Sequence, residues 1–180
     1  MTVRRSMKAA RRTPVDAARL RRDFRRHVAQ TSTAPLGLTI TSARGAWVTD
    51  ASGRRYLDLL AGMGVANLGH GNPAVIRACL TQLRRHLHVM VYGEYVLETQ
   101  VRLATRLSAL AGPPFEHCYF TNSGAEAIEG ALKTARKYTG RSGLIGFTLG
   151  FHGDTFGALS VGGNPRYRDP FLPLLPGATI

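Results

Sequence analysis

The 180-residue chain predicts an α/β fold with a parallel sheet, and three observations carry that reading. A short apolar segment, residues 115–121 with β-forming Tyr119 and Phe120, runs directly into a long helical pattern that ends near Thr139 and Gly140. A second short apolar segment, residues 144–148, follows that helix. Strand, helix, strand at this spacing is a βαβ crossover, which joins parallel neighbours. The third observation is that 44% of the residues are hydrophobic, enough to build a sizeable core and to exclude disorder as the main description.

The remaining elements follow in chain order. Thr13 before Pro14 is a helix start, with a side-chain oxygen to cap and a proline preset for the first turn, and the helix is expected to reach about Gln30. After a Ser/Thr-rich linker at residues 31–33, segments 46–50 and 55–60 read as a hairpin, because Gly53 supplies the positive φ its turn needs. The run LLAGMGVANLGHGNP (59–73) is too rich in glycine for regular structure and reads as a loop that allows close backbone approach. Asn72 and Pro73 open a helix to about Leu87, with Val75, Ile76, Cys79, Leu80 and Leu83 on one face. A further helix is expected from about Tyr95 to Leu110, stopped by Gly112, Pro113 and Pro114. There is no internal repeat.

The net charge of +13 is concentrated in residues 1–30, where ten basic residues stand against Asp16 and Asp23. A leader of this kind reads as a solvated arginine-rich helix, with polyanion binding as the sharper alternative, and nucleic acid is not expected as a partner. No segment reaches the roughly 18 consecutive apolar residues of a membrane span, and no apolar core follows the basic start as in a secretory signal. Cys79 and Cys118 have no zinc-type or redox-type partner nearby, and both are expected as buried thiols of a cytoplasmic protein. No metal site is expected.

The chemistry gathers at the strand-to-helix turn. A helix entered through Ser123 and Gly124 offers its first amide groups and the positive end of its dipole to an anion. Gly124 lets a phosphate approach the backbone, Ser123 adds a hydroxyl, and Ala125 a further amide. The alternative is that Ser123 merely caps the helix. There is no Walker loop and no dinucleotide fingerprint after a strand. The next strand leads to Phe151, His152 and Gly153, and ligands of open parallel sheets gather at the carboxyl ends of strands. An aromatic ring beside a phosphate cup points to a planar cofactor held by stacking, although spacing alone leaves Phe151 equally open to a core role.

Together these segments resemble the class III, ornithine-type pyridoxal-phosphate aminotransferases. The resemblance lies in WVTDASGRRYLDLLAGMGVANLGHGNP (47–73), TNSGAEAIEGALKTARKYTGR (121–141), FHGDTFGALSVGG (151–163) and YRDPFLPLLPG (167–177). It implies the fold type I architecture of these enzymes, present as an N-terminal segment plus the first part of the large sheet domain. The implied boundaries are a basic helix and linker (1–35), an N-terminal segment of the small domain with a glycine-rich substrate-side loop (36–93), and an incomplete cofactor-binding domain (94–180). It further implies that Ser123, Gly124 and Ala125 hold the 5′-phosphate of pyridoxal phosphate, and that Phe151 stacks on the pyridine ring with His152 alongside. Small-molecule amine and oxo-acid substrates, and a homodimer in the full-length form, belong to the same implication.

In the family the lysine that forms the Schiff base and the aspartate that pairs with the pyridine nitrogen lie well beyond Phe151, past Ile180. Lys8 falls in the basic leader, and Lys133 stands about 14 Å along its helix from the phosphate end. Neither matches the catalytic lysine, so no catalytic residue is assigned. The 180 residues are expected to be a fragment, inactive alone and poorly soluble through open sheet edges, or else a non-catalytic remnant. A second departure is Asp154, which stands where ornithine-type and acetylornithine-type members place an arginine for the substrate carboxylate. A carboxylate there repels that group and favours a diamine or ω-amino donor, with a diaminononanoate-forming enzyme of the biotin pathway as the alternative. Asp154 as a cap for the following helix stays open beside it.

Overall fold

Local signals shape most of the first unit, Met1–Val89. The computed structural model describes residues 15–90 and 93–180, so the expected helix start at Thr13 and Pro14, like Lys8, lies outside the described residues. The first described helix, α1 (Ala17–His27), is capped by Asp16, whose carboxylate accepts the Arg19 amide at 2.9 Å. It ends three residues before Gln30, and the Gln30 side chain donates to the Phe24 and Val28 carbonyls at 3.2 and 2.9 Å, closing the last turn.

Strands β1 (Ile40–Arg44), β2 (Trp47–Asp50) and β3 (Arg55–Leu57) form an antiparallel meander. The expected hairpin is its second half, with Trp47 opposite Leu57 and Thr49 opposite Arg55. Gly53 takes φ +85° in the turn. Asp50 organises that turn by accepting from the Ser52 amide (2.8 Å), the Ser52 hydroxyl (2.6 Å), the Arg54 amide (3.0 Å) and the Tyr56 hydroxyl (2.9 Å). Four donors favour the ionised form, and the Ser52 hydroxyl leads in lowering the Asp50 pKa to about 2. The Arg55 guanidinium lies 4.7 Å from the Trp47 ring centroid, a diagonal cation–π contact across the pair.

The glycine-rich segment contains a short helical turn, α2 (Ala61–Gly64), whose hand is reversed. Ala61, Gly62, Met63 and Gly64 all have positive φ, from +46° to +79°. For Ala61 and Met63 this is a strained conformation, held from both ends. Asp58 accepts the Leu60 and Ala61 amides at 3.1 and 3.0 Å, and its other oxygen meets His70 Nε2 at 2.7 Å. His70 in turn exchanges two backbone hydrogen bonds with Gly45, at 2.9 and 2.8 Å. Residues 58–70 thus form a loop with joined ends and a tip of exposed apolar side chains, Leu59, Met63 and Val65 among them. Asn72 then caps α3 (Pro73–Arg85) through the Ala74 amide at 2.9 Å, as its sequence position predicts.

The second unit, Met90–Ile180, holds α4 (Glu98–Ala111), closed by Gly112 at φ +70°. Residues 115–121 are irregular, which corrects the expected strand there. Tyr119 and Phe120 have the propensity, but a strand exists only as part of a ladder, and no described segment pairs with them. Helix α5 (Gly124–Thr139) follows, ending on Gly140 in the left-handed conformation. The second expected strand is split at Gly146 into β4 (Leu144–Ile145) and β5 (Phe147–Thr148). After α6 (Phe156–Ser160), β6 (Gly162–Gly163) pairs with β5, and β7 (Ala178–Thr179) pairs with β4, both in parallel. Between them lie α7 (Pro165–Arg168) and a 3-10 turn at Asp169–Phe171.

The core of the described residues is small and local: Ala158, Leu159 and Val161 are at most 5% exposed, with Ser160 beside them. The Ser160 hydroxyl donates to Phe156 O at 2.6 Å and accepts from the Leu175 amide at 3.0 Å, so this buried polar group is paired. Cys79 and Cys118 are both exposed, which corrects the expected buried thiols. Cys79 shares its α3 face with Val75, Ile76, Leu80 and Leu83, and that face is about half exposed. Among the described residues no helix is long and apolar enough to cross a membrane.

Candidate functional site

The turn into α5 carries the first half of the site. Ser123 is extended (φ −151°, ψ 161°) and its Oγ accepts the Glu126 amide at 3.1 Å. The Glu126 carboxylate reaches back to the Asn122 amide at 2.7 Å, a reciprocal cap that locks the entry to the helix. The first backbone bond of the helix runs from the Ala127 amide to Ser123 O, so the amides of Gly124 and Ala125 stand ahead of the intrahelical ladder. Ser123 uses an oxygen lone pair for the cap and keeps its own proton to donate. Capping and anion binding, alternatives in the sequence, are compatible here.

Gly124 has open space above it: a β-carbon built there meets no atom within 4 Å. Gly153 is the opposite case. A β-carbon on it would lie 2.5 Å from Ala125 Cβ and 3.0 Å from Ala125 Cα, at a φ of +118°. The loop that carries Phe151 and His152 is therefore docked by Gly153 directly on the first turn of α5. This contact joins two segments that the sequence separates by nearly thirty residues.

Phe151 is 61% exposed, and its ring meets Tyr167 edge-on at 5.9 Å between centroids and 72° between planes. Tyr167 was not among the sequence candidates; its only signal is its place in the segment YRDPFLPLLPG. His152 is half-buried. Asp154 is exposed and does not supply the cap proposed as its alternative role: the first-turn amides of α6 at Gly157 and Ala158 go to Glu129 on α5, at 2.9 and 3.3 Å. Lys133 lies on α5 well away from its N-terminus, and Lys137, which the sequence reading overlooked, lies in the last turn of that helix.

These residues suit a phosphate-bearing ring. Two amides ahead of the helical ladder, a donor hydroxyl, open space over Gly124 and an accessible aromatic face are what such a group requires.

The chain matches the family description Aminotransferase class-III over residues 28–180, and it belongs to that family. The acetylornithine aminotransferase of Archaeoglobus fulgidus is 42% identical over 151 residues, covering 84% of this chain and 39% of that protein. Among solved structures, the taurine:2-oxoglutarate aminotransferase of Bifidobacterium kashiwanohense, in complex with PLP and glutamate, superposes with a TM-score of 0.83 at 29% identity, covering 93% of this chain and 38% of that one. The adenosylmethionine-8-amino-7-oxononanoate aminotransferase of Methanocaldococcus jannaschii gives 0.84 at 27% identity, over 91% of this chain and 40% of that one. The fold is thus that of the type I pyridoxal-phosphate transaminases. The chain spans 33–39% of the length of curated relatives it matches.

Proposed function

We propose that these 180 residues form the cofactor grip of a pyridoxal-phosphate-dependent aminotransferase that moves an amino group from a diamine, ω-amino or acetylornithine-like donor to an oxo acid. The observation that carries this reading is the docking of Gly153 on Ala125, which brings the Phe151 loop to the open N-terminus of α5. Ser123, Gly124 and Ala125 hold the 5′-phosphate, Phe151 covers one face of the pyridine ring, and His152 flanks it. The bound cofactor supplies an electron sink for the electrons of a breaking Cα–H bond.

Neither lysine among the described residues is assigned to the proton transfer, because Lys133 and Lys137 stand along α5 rather than at its N-terminus. The 180 residues are accordingly expected to bind the cofactor without turning over substrate. Asp154 beside the clamp disfavours a substrate carboxylate at that position and supports the diamine or ω-amino donor; the diaminononanoate-forming reaction remains the second reading through the Methanocaldococcus jannaschii neighbour. The proposed layout has residues 1–35 as a basic helix and linker, 36–93 as part of the small domain, and 94–180 as part of the cofactor domain. Homodimerisation belongs to the same proposal, and exposed apolar side chains such as Met63 and Val96 are what such an interface would cover. The two free thiols suit a cytoplasmic location.

The test is equilibrium binding of pyridoxamine 5′-phosphate, which cannot react with surface lysines, to the purified chain. Saturable binding that inorganic phosphate competes away is expected. Absence of binding, or binding indifferent to phosphate, overturns the reading.

A further inference from the structure

Glu129 stands one turn beyond Ala125 on α5 and reaches across to a different element. Its Oε1 accepts the Gly157 amide at 2.9 Å and the Ala158 amide at 3.3 Å, and the Thr155 hydroxyl stands near enough to the same carboxylate to favour its ionised form. Thr155 is the N-cap residue of α6, yet it makes no capping bond of its own. The cap that a helix ordinarily finds in its own flanking residues is here delivered from α5. Gly157 leaves room for it: a β-carbon on that residue would run into the Glu129 carboxylate.

The consequence falls on the loop between. At its start, the Gly150 amide donates to Phe147 O at 3.0 Å, and Gly150 O accepts the Gly163 amide at 3.0 Å. At its end, Gly153 rests on Ala125, and the first turn of α6 is tied to Glu129. Phe151 and His152 are suspended between these anchors, and only the second one refers them to the helix whose N-terminus is the phosphate cup. The Thr155 hydroxyl, with the amides of Gly157 and Ala158 behind it, holds the Glu129 carboxyl below its usual range against the burial that pushes it up. Those donors, with Lys133 nearby, keep the carboxylate ionised as the acceptor for the α6 amides.

We propose that Glu129 is a positioning residue for the cofactor clamp, fixing the Phe151 ring relative to the phosphate cup by capping α6 from α5. The inference rests on the cofactor reading above and adds a division of labour to it. Glu129 governs recognition of the ring, whereas Ser123, Gly124 and Ala125 govern recognition of the phosphate.

The experiment compares the affinities of pyridoxamine 5′-phosphate and inorganic phosphate for the full chain and its Glu129→Ala, Glu129→Gln and Thr155→Val variants. Glu129→Ala is expected to weaken pyridoxamine 5′-phosphate about ten-fold, the effect of losing a charge-assisted anchor, with inorganic phosphate unchanged. Glu129→Gln keeps an acceptor oxygen for Gly157 and Ala158 and is expected to restore most of that affinity. If Glu129→Ala fails to fold, Thr155→Val decides, with the same ring-selective loss expected at smaller size. Unchanged pyridoxamine 5′-phosphate affinity, or a parallel loss of both ligands, overturns the inference while leaving the cofactor reading intact. A wild-type chain that binds inorganic phosphate but not pyridoxamine 5′-phosphate overturns both.

Discussion

Replacing Gly153 by alanine tests the contact on which the site depends. The new methyl would lie 2.5 Å from Ala125 Cβ and 3.0 Å from Ala125 Cα, whereas carbon pairs settle at about 3.5–4.0 Å. Both atoms it meets are fixed to the backbone, so no rotamer change relieves the overlap. Overpacking of this kind costs roughly 1–3 kcal/mol, and φ +118° adds a conformational cost of order 1–3 kcal/mol for a residue with a β-carbon. The sum, roughly 2–6 kcal/mol, is comparable with the whole stability of a small unit. The Phe151 loop is therefore expected to lift off α5. The control is Gly124→Ala, where a β-carbon meets nothing within 4 Å and stability should hold. Denaturant midpoints separate the two variants, and ligand binding separates them again. Gly153→Ala should lose pyridoxamine 5′-phosphate while the cup still binds inorganic phosphate, and Gly124→Ala should weaken both ligands by filling the space above the cup. A Gly153→Ala chain with unchanged stability and unchanged pyridoxamine 5′-phosphate affinity would refute the reasoning.

Three further outcomes are expected. Ser123→Ala should lower stability by about 1 kcal/mol through loss of the cap to the Glu126 amide, and a denaturation curve that does not move would contradict that role. The Asp50 carboxyl, lowered from 3.8 to about 2, contributes to the hairpin turn above its unfolded pKa and loses that contribution as the pH falls through its folded value. The amide protection of Ser52 and Arg54 should thus hold down to about pH 4 and disappear toward pH 2, and an Asp50 titration midpoint near 4 by NMR would count against it. Asp58→Ala removes the acceptor for the Leu60 and Ala61 amides and the partner of His70, so limited chymotrypsin cleavage within residues 59–68 should accelerate; an unchanged cleavage rate would show that the loop is held by other means.

What the sequence displayed was what short-range chemistry decides. The hairpin across Gly53, the Asn72 cap before Pro73, and the Gly112 and Gly140 helix ends each depend on a few adjacent residues, and each stands where the sequence put it. The segment at residues 115–121 shows the limit of propensity, since β-forming side chains cannot make a strand without a neighbour to pair with. The glycine pattern at residues 59–73 announced an irregular loop but not its left-handed turn, because Ala61 enters it on a bond to Asp58, itself held by His70, rather than by its own preference. The turn at Ser123 and Gly124 was legible as a generic anion site, and pointed to a particular cofactor only through the family segments. The contacts that bring them together, Gly153 on Ala125 and Glu129 on the α6 amides, are long-range and leave no periodic mark in the chain.

The central claim is that one helix N-terminus and one aromatic loop form a single cofactor site. NMR titration of the wild-type chain with inorganic phosphate and with pyridoxamine 5′-phosphate tests it most directly. The Gly124 and Ala125 amides should shift with both ligands, and the Phe151 ring signals with pyridoxamine 5′-phosphate alone. Shifts confined to the α1 arginines, or Phe151 signals indifferent to pyridoxamine 5′-phosphate, would contradict it.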